Sequence, residues 1–185
     1  KGARLWKGAK YAEEHGLKNV AFLRTRIEFI ESLFAENEVS EIWITFADPQ
    51  IGREKKRLTA PLFMNRYRNF LKPGGIVHLK TDSRYLHEYS IAMARQNDLK
   101  ILAYGTDIYG EDREQLYASE LSSVSGRSAI DALFEVQTFY ESQYLAQGFP
   151  ITYLAFLADH SGDYISPAWA EDLWKGEGHH FVIPS

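Results

Sequence analysis

Asp48 ends an apolar run, Ile42, Trp43 and Ile44, and is followed at once by Pro49. Near-continuous β-branched and aromatic residues predict a strand buried on both faces of a parallel sheet, and Pro49 stops it because proline has no N–H for the ladder. A carboxylate at that end lies where open α/β sheets bind ligands, and its desolvation is costly unless something there uses it. The plainer alternative is a turn opener, since Asp-Pro often starts a loop. The next loop carries Arg53, Lys55, Lys56 and Arg57, opposed only by Glu54. These cations would rim the same crevice and suit phosphate contacts, or form a solvated surface. A second run, Ile76 to Lys80, stops at the polar cluster Thr81-Asp82-Ser83, where Asp82 reads as the N-cap of a helix beginning near Ser83. Thr138 and Glu141 spell a capping box, and an ordered helix N-terminus also offers donors to a phosphate or nucleotide.

Other chemistries find little support. His15, His78, His87, His160, His179 and His180 show no metal-ligand spacing, so no metal residue is assigned. There is no cysteine, hence no disulfide framework or thiolate site, and a reducing cytoplasm is the default compartment. No Ser-His-Asp set, phosphate-binding glycine loop or membrane-length apolar run is visible. The net charge of −4 conceals an asymmetry: Lys1 to Leu102 holds 18 Lys and Arg against 12 Asp and Glu, whereas Ala103 to Ser185 holds 3 against 13. Such a division suggests a polyanion-facing half.

The elements that must position these residues alternate between helix and strand. Lys1 to His15 reads as a helix stopped by Gly16, with Lys1, Arg4, Lys7 and Lys10 on a broad basic face. Asn19 to Leu23 reads as a strand, and Ile27, Ile30, Leu33 and Phe34 as one face of a helix running to about Glu36. Thr59 and Pro61 open a helix that Pro73-Gly74-Gly75 ends. Ser83 to Asn97 is helical, Leu99 to Tyr104 a strand, Asp107 to Ala132 a loop with a broken helix, and Ile151 to Ala158 a final strand. About five strands in a mostly parallel α/β sheet follow from this spacing. The length is most simply that of one domain, 1–158, with a tail, 159–185, of no evident role.

In order and spacing, several stretches resemble the bacterial tRNA (guanine-N7)-methyltransferase family. They are Asn19 to Glu28, Glu41 to Pro49, Lys55-Lys-Arg-Leu-Thr59, Phe70-Leu-Lys-Pro-Gly-Gly75, His78-Leu-Lys-Thr-Asp82 and Thr138-Phe-Tyr-Glu141. The resemblance implies a Rossmann-like, mostly parallel sheet of the class I methyltransferase type. It also implies methyl transfer from S-adenosylmethionine to N7 of a variable-loop guanine in tRNA. Asp48 would be catalytic and, with Arg26, would border the cofactor. Asp82, Thr138, Glu141, Arg53, Lys55 and Lys56 would bind tRNA.

Departures from the family pattern shape the expectations. The first two strands and the Gly-rich turn expected before Lys1 are not in the sequence, so the sheet is expected to lack them. The chain is accordingly expected to be part of a longer protein and to bind S-adenosylmethionine poorly by itself. Gly52 stands where a substrate-binding lysine is expected, with Arg53 as a possible substitute, although Arg and Lys are not interchangeable at a defined contact. Arg26 replaces a cofactor-side aspartate, with Glu28 nearby. These departures motivate a rival: a non-catalytic tRNA-binding protein derived from the same fold.

Overall fold

Val39–Thr45 forms β1, and its hydrogen-bonded neighbour is the parallel strand β2, Leu71–Thr81, with Thr45 opposite Lys80. In the computed structural model, which describes residues 2–170, four strands form one sheet in the order β1-β2-β4-β3. Here β3 is Ile101–Gly105 and β4 is Thr152–Leu157. β4 runs antiparallel to both β2 and β3, so three strands point one way and one opposes them. The mixed α/β fold agrees with the alternation read from the sequence.

β1 differs from its expectation. It is an edge strand among the described residues, with Ile44 5% exposed but Trp43 42% exposed. A ladder on one side only leaves the other open, so apolar sequence alone does not secure burial. By contrast β2 is buried from Gly75 to Thr81, with Ile76, Val77 and Leu79 almost fully covered, while Lys72 to Gly74 are exposed. It begins at Leu71, passing through Pro73-Gly74-Gly75 with a register irregularity opposite Val39 and Glu41 and with Gly74 at φ 75°. The preceding helix α2, Pro61–Tyr67, therefore ends earlier than expected. Helix α3, Arg84–Gln96, follows β2, and Ser83 caps it by accepting the Leu86 N–H.

The chain divides between Phe34 and Ala35 into two compact units. The first contains α1, Gly2–Glu14, closed by Gly16 at φ 64° as the sequence implies. Asn19 to Leu23 is not a strand: it is an exposed segment of the N-terminal unit, where water can satisfy the backbone without a ladder. Ile27–Ser32 is a 3-10 helix in place of the longer α-helix expected. Its N-cap residue, Arg26, gives no side-chain bond that would start an α-helical turn.

In the second unit, Asp107 to Ala132 holds three helices or helix starts: α4 Arg113–Tyr117, α5 Glu120–Ser125 and α6 Arg127–Glu135. Leu116, Leu121, Ile130 and Leu133 from these helices, with Ile108 from the loop before them, share a buried cluster with residues of β3 and β4. Helix α7, Phe139–Ala146, precedes β4. No helix among the described residues is long and apolar enough to cross a membrane.

Candidate active site at the ends of β1 and β2

The chain leaves β1 through an unusual backbone. Phe46 donates its N–H to the Lys80 carbonyl at 2.9 Å, then takes φ 50°; Gln50 takes φ 52° and Gly52 φ 70°. Two non-glycine residues in the left-handed region within one short loop each cost about 1–3 kcal/mol, and such strain collects where a site needs a defined shape. Gly52 is accounted for directly: a lysine at that φ would add strain.

Asp48 is exposed in this loop. Its Oδ1 accepts the Gln50 N–H at 2.9 Å, the side-chain turn expected of an aspartate before proline. Among the described residues Oδ2 has no hydrogen-bond partner, and the side chain is open to solvent. The plainer reading of Asp48, a residue that shapes the turn, is thus met, and one of its oxygens is left without a protein partner among the described residues. A solvent-exposed carboxylate also fits a cationic sulfonium donor by charge, which is the one cofactor feature these residues can be tested against.

The basic loop separates into two kinds of residue. Arg53, Lys55 and Lys56 are exposed, the last two on the 3-10 turn Glu54–Lys56. Glu54, the only acid among them, accepts a hydrogen bond from the Tyr89 hydroxyl at 2.6 Å and so faces α3. Arg57 is a correction: expected at the crevice rim with the other cations, it is 0% exposed. Its Nε donates to the Pro49 carbonyl at 3.0 Å and its Nη2 to the Gln50 carbonyl at 3.1 Å. A planar fork reaches two successive carbonyls, which explains why this arginine turns inward.

At the adjacent strand end Asp82 does not cap α3; Ser83 does, while Thr81 Oγ1 accepts the Ser83 N–H at 3.0 Å. Asp82 is half-buried, and burial pushes its carboxyl above the usual carboxylate range, opposed by a hydrogen bond from the Tyr144 hydroxyl on α7. The raised value means that its charge is opposed by poor hydration.

Thr138 and Glu141 form the capping box anticipated at the start of α7, with Thr138 Oγ1 accepting the Glu141 N–H at 3.1 Å and Glu141 Oε2 accepting the Thr138 N–H at 3.2 Å. Glu141 is also 0% exposed and pairs with Lys80 Nζ at 2.5 Å, while the Tyr109 hydroxyl donates to it at 2.7 Å. Lys80 further donates to the Leu133 carbonyl at 2.6 Å. The pair fastens α7 to the end of β2, so Asp82, Tyr144, Thr138 and Glu141 are gathered there. With Thr45 opposite Lys80, Asp48 and Asp82 leave the same end of neighbouring parallel strands.

Arg26 lies in the N-terminal unit, exposed, 3.5 Å from Glu28 and with its guanidinium 5.8 Å from the Phe29 ring centroid. Among the described residues no group of three or more His, Asp or Glu could hold a metal ion. Arg57 as an anchor, Lys80, Tyr109 and Tyr144 are residues of this region that motif spacing does not single out. A lysine inside an otherwise apolar strand was the one available signal for Lys80.

Comparison with known proteins bears on what this geometry serves. A family profile described as "Putative methyltransferase" matches residues 4–119. The tRNA (guanine-N(7)-)-methyltransferase of Christiangramia forsetii is 51% identical over 158 residues, 84% of this chain and 64% of that protein. The proteins of the same name from Bacteroides fragilis and Bacteroides thetaiotaomicron are 43% and 44% identical, covering 90% and 88% of this chain. The chain spans 60% and 58% of their own lengths, less than two thirds in each case. With more than half of its residues matched by the family profile, the chain belongs to this methyltransferase family.

Proposed function

We propose that the protein carrying this chain is a cytoplasmic tRNA (guanine-N7)-methyltransferase that takes its methyl group from S-adenosylmethionine. The observation that carries the reading is the exposed Asp48, with one carboxylate oxygen unengaged at the strand end and three exposed cations in the loop that follows. The names of the relatives at 43–51% identity support the same substrate and reaction.

N7 of guanine has an in-plane lone pair and no proton, so no general base is required. S-adenosylmethionine, when bound, supplies an electrophilic methyl group, and the N7–methyl bond forms as the sulfur–methyl bond breaks, leaving a neutral thioether. The chain's own task is to hold the base in line and to offset the positive charge that grows on the purine. Asp48 Oδ2 accepts from the amide and amino edge of the guanine, a bond that strengthens as the ring becomes cationic. Arg53, Lys55 and Lys56 hold tRNA phosphates by charge and shape. Asp82 and the N-terminus of α7, with Thr138 and Glu141, form the neighbouring wall of the substrate site.

Transfer of labelled methyl to unmodified tRNA by the natural protein tests the reading. Asp48→Asn keeps an acceptor for the Gln50 N–H but removes the charge, and is expected to lower kcat about 100-fold, the scale of losing one oriented electrostatic group. Tight tRNA binding by the natural protein without transfer would instead establish the non-catalytic tRNA-binding rival. Transfer at an unchanged rate by Asp48→Asn would remove Asp48 from the chemistry.

A further inference from the structure

Arg57 brings a full charge into the interior that phosphate recognition does not use. Besides the Pro49 and Gln50 carbonyls, its Nη2 donates to the Tyr85 hydroxyl. Its guanidinium carbon lies 4.0 Å from the Tyr89 ring centroid and 4.9 Å from that of Tyr85. Both rings lie on α3, whose buried face supplies a rigid base. Trp169, from the segment after β4, meets both tyrosines edge-on at 5.7 and 5.6 Å. The cage also holds the 3-10 turn, because the Tyr89 hydroxyl is the donor to Glu54.

The fork grips two successive carbonyls and so fixes the peptide planes on either side of Gln50. That residue sits at φ 52°, and its N–H holds Asp48 Oδ1. A left-handed non-glycine residue persists only where its surroundings over-determine it, and the Arg57 fork does this for Gln50. Released from the fork, Gln50 would relax toward φ < 0, and the Asp48 carboxylate would lose the donor that aims it.

We propose that Arg57, in an aromatic cage closed by Trp169, is a positioning residue that aims the Asp48 carboxylate, which gives the C-terminal segment a part in methyl transfer. The inference rests on the proposed role of Asp48 and adds to it the group that sets its geometry. Arg57→Lys would keep the charge but lose the fork, and Trp169→Ala would open one wall of the cage without removing an acceptor of the Arg57 bonds to Pro49, Gln50 and Tyr85.

The test uses the natural protein and two readouts: steady-state transfer to tRNA, and hydrogen exchange of the peptide covering residues 46–58. Arg57→Lys is expected to lower kcat about 100-fold, as a displacement of about 1 Å can, with KM for tRNA within about 2-fold because Lys55 and Lys56 are untouched. Trp169→Ala is expected to lower kcat about 10-fold, and Trp169→Phe to restore most of it, as a smaller misplacement on the same scale. Exchange in 46–58 is expected to quicken in Arg57→Lys and Trp169→Ala. Both readouts must move: unchanged exchange, unchanged kcat, or a loss confined to KM overturns the proposal, the last by making Arg57 a phosphate contact. Should Arg57→Lys lose cooperative unfolding in urea, Tyr85→Phe, which deletes one hydroxyl, decides by the same criteria. Asp48→Asn run beside these separates the two readings: full activity there overturns the role of Asp48, while unchanged exchange in Arg57→Lys overturns the cage alone.

Discussion

Replacing Lys80 with methionine keeps the length of the side chain and deletes its charge at the point where α7 meets β2. The Lys80 side chain is 5% exposed and that of Glu141 is 0% exposed, with Nζ and Oε1 2.5 Å apart. In Lys80→Met the Glu141 carboxylate keeps only the Tyr109 hydroxyl at 2.7 Å and the Thr138 N–H at 3.2 Å, and the Leu133 carbonyl loses the Lys80 donor at 2.6 Å. Removing one partner of a buried pair leaves an uncompensated charge, and the expected loss is about 3–5 kcal/mol. Glu141→Gln retains an acceptor for the cap, so the double variant Lys80→Met/Glu141→Gln removes both charges and keeps the box. It is expected to lose less than the sum of the two single variants, with a coupling of about 1–3 kcal/mol. Urea unfolding of the three variants, with the slope held constant, measures this. A loss of under about 1 kcal/mol for Lys80→Met, or strict additivity in the double variant, would refute the assignment of the pair as the α7 fastening.

Three further expectations concern separate parts of the molecule. Lys55→Ala and Lys56→Ala should each flatten the dependence of log K for tRNA on log salt by about 0.7–0.9, and an unchanged slope would assign that turn to ordinary surface. Burial pushes the His78 imidazole down to about 4, below the 6.5 of a free, hydrated imidazole, so the unfolded chain takes up the proton first. Stability is therefore full above pH 6.5 and falls as the pH drops toward 4, by up to about 3 kcal/mol; His78→Gln should flatten that slope in urea melts, and an identical slope would sink the reasoning. Thr138→Ala removes one half of the capping box and should cost about 1 kcal/mol in thermal or urea unfolding, whereas a neutral result would mean that Lys80 alone holds the helix start.

What could be read from the sequence was what neighbouring residues decide among themselves. Thr138 and Glu141 are three apart, so the cap was visible and is formed. Asp48 before Pro49 marked the neighbourhood of a strand end, although β1 stops earlier, at Thr45, where Phe46 turns to φ 50°. The alternation of helix and strand likewise emerged as an α/β sheet. Burial was another matter. Trp43 and Ile42 carry the composition of a covered strand, yet coverage depends on what lies alongside, and β1 has a ladder on one side only among the described residues. Asn19 to Leu23 failed for the same reason. Lys55, Lys56 and Arg57 are consecutive cations that pattern alone cannot tell apart; the turn rotates two outward and one inward. The left-handed φ of Phe46 and Gln50 left no trace in residue type, since neither is a glycine or asparagine. Arg53, Asp82, Thr138 and Glu141 remain proposals for ligand contact, resting on family resemblance and on their placement, and Arg26 on the resemblance alone.

The insertion of β4 between β2 and β3 has a consequence for the order in which the protein can be made. Thr81, beside the proposed site, receives its cross-strand partner Thr152 only 71 residues later in the chain. At the usual speed of synthesis that interval is roughly 4–14 s. Throughout it, one flank of the newborn central strand has no companion, and Lys80 waits for a glutamate not yet translated. The end of the molecule that carries the proposed site is thus late to mature, and a ribosome that stalls between these two threonines would leave β2 open to pairing with a stranger.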